Sequence, residues 1–272
     1  MEVLGRGAFT TVYKNTYNNT PCAIKYIDDK GNSKRYVRKE VNIYKTLKGC
    51  SHIVTMLDYK IKSNGYIKYE LLNKNLLQII PTLTKQNIED IIDQLEIALE
   101  EIHSLGVVHC DLKPENIMFD QQGNLKLIDF GNSMFIHELN ASKQPINTLP
   151  YRPPEYIIGA NMDNRVDLWA LGCIIIEMLI NRELFNPHRD NNVYNHSYLL
   201  GEMISIFGDF SFEFKKSGKY SYKYFDMKNE GIYLYRYLLS TPTSIFKILL
   251  NYGYNRKEAL YWQKKTSKYF VR

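Results

Sequence analysis

Up to about Glu70 the apolar positions fall in short runs rich in Val, Ile and Tyr, the pattern of strands, which predicts strand segments near Ile53–Ile61 and Gly65–Tyr69. One stretch breaks that pattern: from about Lys34 to Lys48, Val37, Val41, Tyr44 and Lys48 recur at helical spacing, with Glu40 beside the stripe. From about Leu76 the period changes. Ile88, Ile91, Ile92, Leu95, Ala98, Leu99 and Ile102 share one face of a long helix that Gly106 should stop. Asp167–Asn181 is apolar on all sides and predicts a buried helix, while residues 186–196 are polar and predict a loop. There is no internal repeat or long flexible linker. The pattern is that of an α+β chain, with a small sheet-dominated part followed by a larger helical one.

Composition narrows the setting. At 272 residues, 44% hydrophobic and 24% charged, the chain can bury a sizeable core in one or two domains. Its four cysteines lack paired CxxC spacing, which points to reduced thiols in an intracellular compartment and away from a disulfide framework or zinc site. The longest apolar run, Trp169 to Ile180, is too short for a bilayer and contains Glu177, and no signal-like segment is seen; the expected setting is the cytoplasm or nucleus, without membrane. The formal charge is +6, with lysines and tyrosines interleaved over Lys215–Lys228 and Arg256–Arg272. A solvated basic surface is the expectation there, and nucleic acid is not the expected partner.

The chemistry is concentrated in His109-Cys110-Asp111-Leu112-Lys113-Pro114-Glu115-Asn116 and Asp129-Phe130-Gly131. Together they resemble the phosphotransfer apparatus of a protein kinase, in which Asp111 would accept the proton of a hydroxyl, Lys113 would neutralise a phosphoryl group in transfer, and Asn116 with Asp129 would hold magnesium against the phosphates of ATP. Upstream, Leu4-Gly5-Arg6-Gly7-Ala8-Phe9-Thr10-Thr11-Val12 reads as strand, glycine turn, strand, with Thr10 where a third glycine is usual. Gly5 and Gly7 let backbone amides approach a polyphosphate. Cys22-Ala23-Ile24-Lys25 ends an apolar strand on a lysine, and a half-buried Lys25 calls for a carboxylate, for which Glu40 is the candidate.

With Leu149-Pro150-Tyr151-Arg152-Pro153-Pro154-Glu155 and Asp167-Leu168-Trp169-Ala170-Leu171-Gly172 downstream, nearly the whole chain resembles the eukaryotic protein kinase family. The resemblance implies a bilobal fold, with residues 1–72 as small lobe and hinge, 73–272 as large lobe, and the active site in the cleft between them. It implies ATP and magnesium as cofactors, and a nucleotide site of Leu4, Gly5, Gly7, Val12, Ala23, Lys25, Glu40, Glu70, Leu72 and Met118. Glu70 and Leu72 resemble the hinge that binds adenine through its backbone, Tyr69 the residue gating the back of the pocket, and Tyr44, His109 and Phe130 part of the stack aligning the lobes.

Lys113, and Thr148 placed to hydrogen-bond toward the catalytic loop, resemble the serine/threonine kinases, and Tyr-Arg-x-Pro-Glu resembles the CMGC group. Within it, Leu184-Phe185-Asn186-Pro187-His188, Gly218-Lys219-Tyr220-Ser221, Tyr224-Phe225, Leu249 to Tyr254 and Glu258-Ala259 look most like SR-protein kinases, which implies an Arg/Ser-rich protein substrate such as a splicing factor. The lysine-rich C-terminal region offers no acidic surface for one, so dual-specificity or homeodomain-interacting types are the alternative. A pseudokinase scaffold is the alternative of another class. Three departures stand out: Cys110 replaces the arginine that grips an activation-loop phosphate, the first strand is short, and the end of the chain lacks a clear match to the helix whose arginine pairs with Glu155. From the last two, a less stable small lobe and reduced cover at the base of the large lobe are expected.

Overall fold

The computed structural model describes residues 2–7, 10–27, 33–61, 65–142, 144–185, 196–228, 231–234 and 241–271. The polar loop expected over 186–196 lies outside these residues except for His196, as do Ala8 and Phe9 of the glycine turn. The chain divides into two compact units, one of residues 1–82 with 89–136 and one of 83–88 with 137–272.

In the first unit, β1 (Val3–Arg6), β2 (Thr10–Tyr17), β3 (Thr20–Ile27), β4 (Met56–Lys60) and β5 (Tyr66–Glu70) form an antiparallel sheet in the order β1-β2-β3-β5-β4. Asn18 and Asn19, at φ +48° and +62°, make the two-residue turn between β2 and β3, a conformation asparagine tolerates and the strand twist favours. Lys25 pairs with Val12 on one side and Ile67 on the other, while Ala23 pairs with Tyr69. Because side chains alternate along a strand, Val12, Ala23, Lys25, Ile67 and Tyr69 project from one face. Helix α1 (Ser33–Thr46) packs against β3, β4 and β5. Its buried stripe is Val37, Glu40, Val41, Ile43 and Tyr44, continued by buried Leu47 just past its end. Lys48 lies past the helix end and is exposed, so Glu40 sits within the stripe rather than beside it.

A one-turn helix α2 (Leu76–Ile79), capped reciprocally by Asn75 and Gln78, precedes α3 (Lys85–Ser104). The expected face of α3 is buried throughout, from Ile88 to Ile102. The helix ends at Ser104, and Gly106 at φ +71° turns the chain back, its N–H on the His103 carbonyl at 2.9 Å. Two small ladders follow, β6 (Val107–Val108) with β9 (Met134–Phe135), and β7 (Ile117–Phe119) with β8 (Leu125–Leu127). Their loops carry most of the candidate chemistry.

The second unit is mainly helical: α4 (Pro154–Ile158), α5 (Arg165–Ile180), α6 (His196–Phe207), α7 (Phe212–Ser217), a hairpin of β10 (Phe225–Lys228) and β11 (Gly231–Leu234), α8 (Ile245–Asn251) and α9 (Arg256–Ser267). Helix α5 is buried on every side, as its composition predicts, and ends at Asn181 with φ +53°. Trp169 on α5 packs against Phe185, Phe207 and Phe270, and Trp262 and Tyr269 are also buried. The end of the chain therefore supplies aromatic cover to α5, contrary to the reduced cover expected from sequence. Among the described residues no helix is long and apolar enough to cross a membrane.

Candidate active site

Lys25 is only 6% exposed, so its ammonium needs partners. It has two carboxylates. Its Nζ donates to Glu40 Oε1 and Oε2 at 2.9 and 3.0 Å, and to Asp129 Oδ1 at 2.8 Å. Burial alone would depress the lysine pKa, but the charges of Glu40 and Asp129 outweigh it and the pKa is raised. Reciprocally, the Lys25 ammonium holds the Asp129 carboxyl down at about 2. Asp129 sits just past β8 at φ +60°, a backbone turn that aims a half-exposed carboxylate at Lys25. Two residues on, a Cβ on Gly131 would lie 3.3 Å from Asp129 Oδ1, 3.4 Å from Glu40 Oε2 and 3.5 Å from Lys25 Nζ. Glycine leaves that space to the ion cluster.

The same unit builds a second cluster around Asp111. The His109 ring accepts the Asp111 N–H on Nδ1 at 3.2 Å and faces the Ile128 carbonyl with Nε2 at 3.0 Å, which sets the tautomer with the proton on Nε2. Ser133 Oγ donates to the His109 carbonyl at 2.9 Å, and Cys110, buried at φ +63°, turns the chain so that Asp111 follows. Lys113 Nζ lies 3.3 Å from Asp111 Oδ2, and Asn132 Nδ2 donates to the same oxygen at 3.4 Å. Asn116 Nδ2 donates to the Asp111 carbonyl at 2.8 Å, and its own carbonyl accepts the Ile128 N–H at 3.0 Å. That bond, next to Asp129, ties the two clusters together. Between them Tyr44, Phe130 and His109 stack, with ring centroids 5.2 and 4.9 Å apart.

The donors present suit magnesium. Asn116 commits its amide nitrogen to Asp111, leaving an oxygen as its free type of ligand, and Asp129 is an ionised carboxylate. Among the described residues no group of three or more His, Cys, Asp or Glu could cage a metal. A pair of oxygen donors without such a cage fits an ion that brings phosphate and water ligands with it.

A protein kinase domain model matches residues 1–241. The chain belongs to the protein kinase family. A probable cyclin-dependent serine/threonine-protein kinase of Dictyostelium discoideum is 32% identical over 200 residues, covering 70% of this chain and 14% of the relative. Human homeodomain-interacting protein kinase 4 is 30% identical over 212 residues, 72% of this chain and 34% of the relative. A putative dual specificity tyrosine-phosphorylation-regulated kinase 3 homolog of Drosophila melanogaster is 29% identical over 243 residues, 84% of this chain and 28% of the relative. The chain thus spans about a third or less of the length of these relatives. The fold is the sheet-rich and helical pair of lobes of this family.

Within this kinase domain the remaining candidates fall into place unevenly. Val12 and Ala23 share the sheet face of Lys25. Glu70 ends β5, where its N–H donates to the Thr55 carbonyl at 3.0 Å and its Oε1 accepts the Thr55 N–H at 2.7 Å. Just beyond Leu72, Asn73 N–H donates to the Phe119 carbonyl at 2.8 Å and Asn75 bridges to Met118, so the segment after β5 is zipped to β7. Gly5 pairs with Val12, while Leu4 is 43% exposed. Gly7 N–H donates to the Thr10 carbonyl at 2.8 Å, and a Cβ on Gly7 would lie 2.7 Å from Thr10 Oγ1. Thr10 thus crowds the turn in the place of the usual third glycine. Thr148 lies in the second unit, where its carbonyl accepts the Tyr151 N–H at 2.9 Å.

Sequence reasoning missed Asn132, Ser133 and the hydroxyl of Tyr69 as parts of this machinery. Asn132 and Ser133 directly follow Asp129-Phe130-Gly131, so adjacency was the available signal; for Tyr69 there was none. In the second unit, Arg152 donates to the carbonyls of Ile146 at 3.1 Å and Asn147 at 2.9 Å and lies 2.9 Å from His196 Nε2. Tyr151 donates to buried Glu177 at 2.6 Å. Glu155 is buried too, and its charge contributes to raising the pKa of Arg165, after the larger effect of Asp163.

Proposed function

We propose that this kinase domain transfers the γ-phosphoryl group of ATP to serine or threonine hydroxyls of a protein substrate. The observation that carries the reading is the Lys25 ammonium held by Glu40 and Asp129 in the same unit that sets Asp111 beside Lys113 and Asn116. A buried cation so placed, with an ionised carboxylate at its exposed side, suits a polyanion better than a structural role, since a stability-only core would be apolar.

In this mechanism Lys25 fixes the α and β phosphates, and Glu40 keeps it there. Asp111 accepts the proton of the attacking hydroxyl, and Lys113 balances the charge on the group in transfer. Asn116 and Asp129 would hold magnesium, which when bound neutralises the phosphates and orients them for in-line displacement. Positioning and electrostatics supply the rate, without a covalent enzyme intermediate. A pseudokinase scaffold has no need of every one of these groups in place.

For the substrate, the serine/threonine type of the Dictyostelium relative supports the acceptor class. The homeodomain-interacting and dual specificity relatives support the alternative subfamily over SR-protein kinases. Exposed Lys216, Lys219 and Lys223 offer no acidic surface of the kind an arginine-rich substrate would need. The test is a peptide array with magnesium and ATP that includes Arg-Ser repeats and acidic sequences. The expected product is phosphoserine or phosphothreonine outside the Arg-Ser repeats, lost about 100-fold or more in Asp111→Ala. Equal product from Asp111→Ala, or none from the native domain, overturns the reading.

A further inference from the structure

Glu40 is 1% exposed and accepts from two sources: the Lys25 ammonium and, at 2.8 Å on Oε1, the hydroxyl of Tyr69. Tyr69 is itself buried, on β5, with its ring 5.1 Å from Tyr44 of α1. The phenol thus links the sheet to the helix through the very carboxylate that holds Lys25. A phenylalanine would fill the same space, so packing does not account for the oxygen. Lys25 also has a second claimant in Asp129, 2.8 Å away. A nucleotide and its metal would draw on both Lys25 and Asp129, and Glu40 must hold its place while they do.

We infer that Tyr69 is a positioning residue: its hydroxyl anchors the Glu40 carboxylate and thereby keeps Lys25 aligned for the nucleotide phosphates, beside Asp129, which would hold the metal. The inference rests on the kinase reading for its catalytic consequence. Its structural half, the hydroxyl-to-carboxylate anchor, is independent of that reading. Burial and then the Glu40 charge raise the Tyr69 phenol well above its ordinary pKa, as a donor to a carboxylate requires.

The experiment is a double-mutant cycle with a second readout on the nucleotide-free protein. Tyr69→Phe should lower kcat/KM for ATP about 10-fold in the native background but less than about 2-fold in Glu40→Gln, because the hydroxyl acts through Glu40. Equal losses in both backgrounds, or no loss in either, overturn the inference. Should Tyr69→Phe fail to fold, Tyr69→Met removes the same hydroxyl and is read the same way. In parallel, the ζ-carbon resonance of Tyr69, assigned by its absence in the variant, is titrated by NMR to about pH 11. It should stay unionised throughout in the native protein and titrate at lower pH in Glu40→Gln; identical titrations in both overturn the anchor. If the native domain shows no turnover the kinase reading fails, yet the titration still decides whether the anchor exists.

Discussion

Removing Lys25 tests whether the ion cluster costs stability or adds to it. In Lys25→Met, Glu40 stays 1% exposed and, among the described residues, keeps the Tyr69 hydroxyl as its one donor in place of the ammonium bonds at 2.9 and 3.0 Å. Stranding a buried charge in this way costs about 3–5 kcal/mol. Glu40→Leu should cost less, about 2–3 kcal/mol, because Lys25 keeps Asp129 at 2.8 Å. In the double variant Lys25→Met/Glu40→Leu the only carboxylate that loses its cation is half-exposed Asp129, which water can solvate, and the main loss is the acceptor of Tyr69, about 1–2 kcal/mol. The double variant is therefore predicted to be more stable than Lys25→Met alone, though all three lack activity. Urea unfolding followed by circular dichroism measures this: with a slope near 3 kcal/mol per molar, Lys25→Met should lower the midpoint by about 1 M or more and the double variant should recover over half of it. Additive losses would refute the reasoning, since they would mean that Lys25 and Glu40 contribute to stability independently.

Three further outcomes follow from particular contacts. Gly131→Ala would set a methyl group tightly, at 3.3 Å, against Asp129 Oδ1 and in ordinary contact with Glu40 and Lys25, so nucleotide turnover should fall with a stability loss under about 1 kcal/mol, compared by kinetics and urea melts on the same sample. His196 has its pKa lowered to about 4 by burial and then by the Arg152 charge. Between pH 6.5 and about 4 the unfolded chain takes up a proton that the folded one does not, so stability is fullest above pH 6.5 and falls as pH drops through this window. For a half-buried group the loss is about 1–2 kcal/mol, and His196→Asn should flatten the pH dependence of urea midpoints. Phosphatase treatment should leave activity unchanged, because Cys110 cannot pair with a phosphate and Arg152 already binds the carbonyls of Ile146 and Asn147; a large drop on dephosphorylation would contradict it.

Much of this was legible in the chain because the signals were periodic or fixed in spacing. The face of α3 from Ile88 to Ile102 repeats at helical intervals, and α5 is apolar on all sides, so burial followed directly. Lys25 and Glu40 were paired by the need of a buried ammonium for a carboxylate, and they meet at 2.9 Å. What stayed hidden depends on which faces meet across elements. Lys48 fits the helical period but the helix stops at Thr46, so Lys48 is exposed while Ile43 and Leu47 are buried in its place. Tyr69 reads as one more apolar strand residue until the register places it opposite Ala23, on the face that α1 covers. The aromatic cover from Phe270, just past the last helix, has no local signature, since it depends on how the residues after that helix pack on α5.

The central claim is that Lys25 and Asp129 face one magnesium-bound nucleotide. Calorimetric binding of a non-hydrolysable ATP analogue, with and without magnesium, tests it most directly. The account predicts that magnesium strengthens binding to the native domain at least about 10-fold, that Asp129→Asn abolishes this gain, and that Lys25→Met weakens binding with or without the metal. Binding that ignores magnesium in the native domain, or that survives both substitutions unchanged, would contradict it.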